Sequence, residues 1–459
     1  MSKSSPVNQQ KNIQAVLLNW IKNLNTPTTI AAILFALGLP IGIAMLGHPE
    51  VGGASGKSLL GTIDLRFPFW LFITQFVFAL ILLTDLWKDL WNYLKELTTQ
   101  RHFLGFVVLM SIIVTIASGY WIEGRHRVQS DESIFLSTAQ NLFSNQISGA
   151  CDEGEFGENG LECTKSANNF KARGLAAVYT FFMPILGSSL QWIFAFHLVL
   201  FAITGVLFYL AILAWTKHPM LAVVTSLALL VQPTVMFQFR SASVEPLYVF
   251  LSGAVLLLLH WAYQRDTVRH WVLVALMMAF FAQTRQETAF CFAAFLAVAI
   301  PKLLSSKDFR FPAFISALSF FSLPVLVTIS FYQGYGFQGG EFEAHGNFLK
   351  HIGINWDVMT KSDIGRDGLL ANPFLTSLTL LAAAGAFTLL MQALFSPVAR
   401  KQLGFLLLYH IQTYMIFENV SGDFTIEINQ RYALVISPTM AFLTSIFLEW
   451  IFIQGIPKA

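Results

Sequence analysis

Asp131 and Glu132 are two adjacent carboxylates that open a polar segment directly after an apolar run. At such a place a pair of acids can do one of two things. It can sit in water and stabilise the first turn of a helix through the macrodipole. Where water is partly excluded, one carboxyl can instead carry a pKa raised toward neutrality and take a proton as a general base. Cations that could work on an anionic group beside them stand at Arg285, Arg431, Arg240, Lys171 and Arg173. Arg has a planar fork of donors that Lys lacks, although either side chain can also snorkel to a membrane interface or pair with an acid. Arg285 and Glu287 lie between two short apolar stretches, where charge is costly in lipid and usually faces a cavity. Glu245, ahead of Pro246 at the mouth of an apolar run, is placed to partner an Arg.

The elements that must position these residues are membrane helices. The chain has 459 residues, 55% hydrophobic and only 12% charged, with a mean hydropathy of +0.61, which excludes an ordinary water-soluble domain. Runs of roughly 17 to 25 apolar residues cross a bilayer as helices. They are read at 29–46, 67–87, 103–121, 191–215, 219–237, 246–263, 312–333, 373–395, 402–417 and 433–453. The stretch 270–301 is interrupted by Gln283, Arg285, Gln286 and Glu287 and reads as two short helices, 270–283 and 287–301. The expected fold is all-α and polytopic, with about twelve spans.

Lys and Arg are retained on the cytoplasmic side. With the N-terminus inside, Lys88, Lys95, Arg101, Lys217, Arg265, Arg269, Lys302 and Lys307 fall in cytoplasmic pieces, and most acids fall outside. The net charge of +2 conceals this asymmetry, which gives no basic surface for nucleic acid. The chain then divides into a cytoplasmic tail (1–28), three spans (29–121), an external loop (122–190), further spans (191–333), a second external loop (334–372) and C-terminal spans (373–459). In the first loop, 131–144 places Phe135, Ala139, Leu142 and Phe143 at helical spacing, with Ser130 as a cap. Such a helix would lie along the interface. The apolar stretch 174–190, broken by Pro184 and Gly187, reads as a second interfacial or half-inserted segment.

Cys151 and Cys163 share this loop, where an oxidising compartment would allow a disulfide. Closing the loop would contribute about 3 kcal/mol in the chain-entropy model. Two free thiols, or a metal pair without further partners, are the alternative. His197 and His260 read as hydrogen-bonded packing residues. The loop carrying His345 and His351 has no tight ligand spacing, so no metal site is assigned. Neither a Walker loop nor a GxGxxG after a strand is present.

Five segments carry a family resemblance: SDESIFLSTAQNLF (130–143), FKARGLAAVYTFFMPILGSS (170–189), VEPLYVFLSGAVLLLL (244–259), AQTRQE (282–287) and RYALVISPTMAFL (431–443). In order and spacing they resemble the GT-C superfamily of integral-membrane glycosyltransferases, nearest the protein O-mannosyltransferase and aminoarabinose-transferase-like group. The resemblance implies transfer of a sugar from a polyprenyl-phosphate donor to a lipid, glycan or protein acceptor on the non-cytoplasmic face, with inversion. It implies Asp131 as the base and Glu132 as its neighbour, and it puts the donor phosphate near Arg285 and Arg431. Arg240, Lys171, Arg173, Glu245, Glu287 and Tyr432 are further candidates for substrate contact. Membrane lipid is the expected surrounding, the expected location is a bacterial cell membrane, and no cofactor is expected beyond an open question of a divalent metal. The rival expectation is a secondary transporter or flippase of lipid-linked substrates.

Overall fold

The computed structural model describes residues 59–124, 131–157, 160–167, 173–187, 189–285, 373–396 and 426–454, with isolated positions at 288, 295, 299, 318, 399 and 403. The expected spans at 29–46, 287–301, 312–333 and 402–417, and the loop at 334–372, lie outside these residues or touch them at single positions. Within them the chain is predominantly helical, and five helices are long and apolar enough to cross a membrane: Pro68–Leu97, Arg101–Trp121, Gln191–Thr216, Glu245–Arg265 and Ser377–Phe395. This is a membrane protein built of apolar helices.

Helix α1 (Leu59–Leu97) and helix α2 (Arg101–Trp121) form an outer layer. Along their middle stretches the large exposed residues are apolar, including Phe76, Ile81, Leu109, Ile112 and Ile116, as a face toward lipid requires. Tyr120 and Trp121 end α2 at 84% and 76% exposure, in the manner of an interfacial aromatic belt. Helices α3 (Asp131–Asn145) and α4 (Gly174–Leu186) pack on each other across the first loop. Between them runs a hairpin of β1 (Ala150–Gly157) and β2 (Gly160–Ala167). The all-α expectation did not include this hairpin, although Asn159-Gly160 is a strong sequence signal for one. Asn141 Nδ2 donates to Gly149 O at 2.8 Å and fastens α3 to the hairpin's base.

The centre of the bundle is α5 (Leu190–Thr216) against α8 (Glu245–Arg265), which α9 (Val268–Ala282) flanks. Of the most apolar stretch of α8, 83% is buried, against 17% for α2, so α8 is the core helix and α2 a peripheral one. The expected single span 219–237 is two helices instead, α6 (Pro219–Leu230) and α7 (Pro233–Gln238). Pro233 has no N–H to continue the ladder, and it forces Gln232 into extended backbone at φ −62°, ψ 127°. Helix α10 (Pro373–Phe395) lies against α11 (Ile426–Glu449), which ends in a π-helical turn, Trp450–Gln454. Their approach requires Gly385, where a Cβ would meet Leu443 O at 1.9 Å.

A polar staple closes one end of this bundle. Arg265, at the end of α8, bonds Asp89 through Nε at 2.9 Å and Glu96 through Nη2 at 3.3 Å, while Arg269 Nη1 reaches Asp85 at 2.7 Å. His270 Nε2 adds a 2.9 Å contact to Asp89. At the same end His218 Nε2 lies 3.7 Å from Glu449 Oε1, which joins the α5–α6 corner to α11. Lys95, Lys217, Arg265 and Arg269 gather at this end, the one the sequence reading expects on the cytoplasmic side.

Candidate functional site

Glu245 opens α8 and Arg265 closes it, so about 30 Å of helix separates the staple from the opposite end. There, stretches remote in sequence converge on a set of buried polar side chains. Glu132 is fully buried. It shares the inward stripe of α3 with Phe135, Ala139 and Leu142, at the spacing that puts all four on one face. The sequence places the acid pair in the first turn of an interfacial helix. The structure adds that the second acid faces the packing, whereas Phe143, expected on the apolar face, is 49% exposed.

The α4 helix lies over this acid, and the Glu132 carboxylate is near enough to Tyr179 to act on its phenol. Tyr179 Oη lies 3.1 Å from His197 Nε2, and His197 Nδ1 lies 2.6 Å from Ser241 O. A carbonyl can only accept, so Nδ1 carries the proton and Nε2 accepts from the phenol. Tyr179 and His197 are both fully buried.

The segment between α7 and α8 is a tight polar turn. Ser241 Oγ donates to Gln238 O at 2.8 Å and lies 2.5 Å from Ser243 Oγ, which bonds Gln238 Oε1 at 3.2 Å. Arg240 Nε donates to Ile122 O at 2.7 Å and its guanidinium lies 6.0 Å from the Phe194 ring. Arg240 therefore ties the end of α2 to this turn. Two residues beyond Ser243, Glu245 Oε1 accepts from Arg285 Nη1 at 2.8 Å, with the side chains 0% and 7% exposed. The Glu245 carboxylate also acts on His197.

Arg285 stands just past the turn that ends α9, and α4 is docked onto that turn. Gly174 N donates to Gln283 O at 2.7 Å. The approach is possible because residue 174 has no side chain: a Cβ would lie 2.8 Å from Gln283 O and 2.9 Å from its carbon. The neighbouring Arg173 is 3% exposed and is held at this junction. Gln75 of α1 completes it, donating to Leu276 O at 2.8 Å and accepting from Gln283 Nε2 at 3.3 Å.

The structure thus brings Glu132, Arg173, Glu245 and Arg285 to one end of the bundle. For Asp131, Arg431, Tyr432, Cys151 and Cys163 the backbone alone is placed. Asp131 is the first residue of α3. Helix α11 has its Glu449 end at the His218 corner, so the backbone of Arg431 and Tyr432 falls toward the Glu245 end. In the hairpin, Cys163 pairs with Gly154 while Cys151 pairs with Ser166, three positions along β2. At about 3.3 Å per residue that offset is near 10 Å, beyond the Cα separation a disulfide tolerates. This register does not bring the expected bridge together. Lys171 and Glu287 lie outside the described residues. Among the described residues no three His, Cys, Asp or Glu side chains gather as metal ligands.

Tyr179, Ser241, Ser243 and Gln238 were not singled out from the sequence. Their signal was weak but present: isolated polar side chains between apolar neighbours, each of which must find a buried partner. Chemically, the arrangement offers carboxylates and guanidiniums in a water-poor junction with a neutral Tyr–His link between them. These features define the class as a multi-helix membrane protein with a buried charged junction at one end. No protein-family model matches the chain, and no curated protein matches it significantly in sequence.

Proposed function

We propose that this protein is a multi-pass, inverting glycosyltransferase that moves a sugar from a polyprenyl-phosphate donor to a hydroxyl acceptor on the non-cytoplasmic face of the membrane. The supporting observation is the burial of Glu132, Arg173 and the Glu245–Arg285 pair at the end of an apolar bundle, under α3 and α4. Ionised groups are kept in such a setting mostly where they face a substrate or ion path. In this reading the acceptor oxygen attacks the anomeric carbon as the bond to the phosphate oxygen breaks. The acceptor proton passes to Asp131, and the phosphate leaves with its charge held by Arg285 and Arg431. Glu132 fixes the start of α3, and Glu245 presents Arg285. The reading carries with it about twelve spans and a place in a bacterial cell membrane with the junction facing outward.

A transporter or flippase of lipid-linked substrates is the second reading. The observation favouring it is the broken helix α6–α7, where Gln232 is buried with neither amide atom bonded among the described residues, since transporters build sites on interrupted helices. Purified Asp131→Asn protein, given a panel of polyprenyl-phosphate sugars and acceptors, separates the two. Loss of transfer with lipid binding retained is expected. Undiminished transfer removes Asp131 as the base, and lipid movement in vesicles without any transfer favours the rival.

A further inference from the structure

A cavity of about 380 Å³ opens at the staple end, the opposite end from the candidate site. Its wall comes from α1 (Tyr93, Glu96), the α1–α2 connection (Thr99, Gln100), α5 (Tyr209), the α5–α6 corner (Lys217) and α8 (His260, Gln264, Arg265). The volume suits a small polar group. Two of its side chains have no counterpart among the described residues. Tyr209 is fully buried, and its hydroxyl has no hydrogen-bond partner among the described residues. A buried hydroxyl without a partner is costly, unless something enters the space it lines. Lys217 is held in left-handed backbone at φ 64° by its N–H bond to Leu213 O, and it makes no ion pair among the described residues. Partial burial lowers its ammonium below the usual lysine value. Arg265 is shared by Glu96 and Asp89, so Lys217 is the cation of this wall that meets no carboxylate among the described residues. His260 is occupied by Tyr93 at 2.7 Å and by Gln264 at 3.4 Å.

We propose that this cavity binds a phosphate group, with Lys217 supplying the charge and the Tyr209 hydroxyl a neutral hydrogen bond. The group could belong to a lipid headgroup of the adjacent leaflet or be free in solution, and the chemistry of the two is shared. The inference does not depend on the glycosyltransferase reading, because it uses none of the same residues and lies about 30 Å away along α8.

The test uses full-length protein in detergent, with native mass spectrometry of retained phosphatidic acid and phosphatidylcholine, and with inorganic phosphate as competitor. Wild-type protein should retain phosphatidic acid at least tenfold better than phosphatidylcholine, and Lys217→Gln and Tyr209→Phe should each reduce that retention five- to tenfold. Tyr209→Phe provides a second readout. It removes a hydroxyl that bonds nothing among the described residues, so its melting midpoint without lipid should hold or rise while its lipid retention falls. A residue that merely packs would move both together or neither. Competition by millimolar phosphate assigns the site to free phosphate chemistry, and retention that phosphate cannot displace assigns it to a lipid. Equal retention of both lipids by wild type, or Tyr209→Phe protein that keeps phosphatidic acid as wild type does, overturns the proposal even if Lys217→Gln protein does not fold.

Discussion

The Glu245–Arg285 pair gives the sharpest test of how the junction is held together. Glu245→Gln keeps size and shape but removes the charge that faces a guanidinium only 7% exposed and 2.8 Å away. Arg does not deprotonate within proteins, so the remaining cation cannot escape by titration. Breaking a buried pair from one side costs about 3–5 kcal/mol. With an unfolding entropy of roughly 2.1 cal/mol/K per residue, a chain of 459 residues loses about 1 °C of melting midpoint per kcal/mol, so the midpoint should fall about 3–5 °C. Replacing both residues by apolar ones of similar size, Glu245→Leu with Arg285→Met, should recover most of the loss, because neither charge then needs a partner. Scanning fluorimetry in detergent on the two single variants and the double variant reads this as a cycle. Additive losses, or a Glu245→Gln protein that melts within 1 °C of wild type, would mean that the two groups are not coupled as the geometry requires.

Two further outcomes follow from backbone geometry. Gly174→Ala should lower the melting midpoint and loosen α4 from the α9 turn, at about 1–3 kcal/mol, because the clashing Gln283 atoms are backbone and cannot rotate aside; hydrogen exchange of 174–186 should rise, and an unchanged exchange rate would contradict the docking. With the chain's third cysteine, Cys291, replaced by Ala, Cys151 and Cys163 should both take up maleimide without reductant, as the register in the hairpin implies; adducts that form only after reduction would show a bridge and a different register.

Much of the bundle was legible because lipid imposes long apolar runs, and composition alone finds them. Boundaries followed where a helix ended in polar residues, as at Thr216 and Arg265. The α6–α7 break was missed although Pro233 stands in plain view. A mean over a window of apolar residues does not register one lost N–H, whereas the backbone must. The staple was also illegible, for another reason. Asp89 and Arg265 are 176 residues apart, and nothing local in either sequence says that α1 runs on as helix past Leu86 to meet the end of α8. Glu245 could be assigned to an Arg in general, but choosing Arg285 over Arg240 needed three dimensions. Arg240 had already been committed to the carbonyl of Ile122.

Glu132 shows where a correct local reading stops short. Helical periodicity gives α3, and the macrodipole gives a reason for acids in its first turn. Both arguments treat the pair as equivalent, yet the same periodicity separates its members by about 100° around the helix. Counting back from Leu142, Ala139 and Phe135 reaches Glu132 and passes over Asp131. One carboxylate is thereby placed on the packed face beside Tyr179, where water is scarce. The other belongs to the first residue of the helix. In the proposed transferase the two acids divide the labour, with the buried one ordering the junction and Asp131 serving as the base. Glu132→Gln should therefore disturb stability as much as activity, while Asp131→Asn should disturb activity alone.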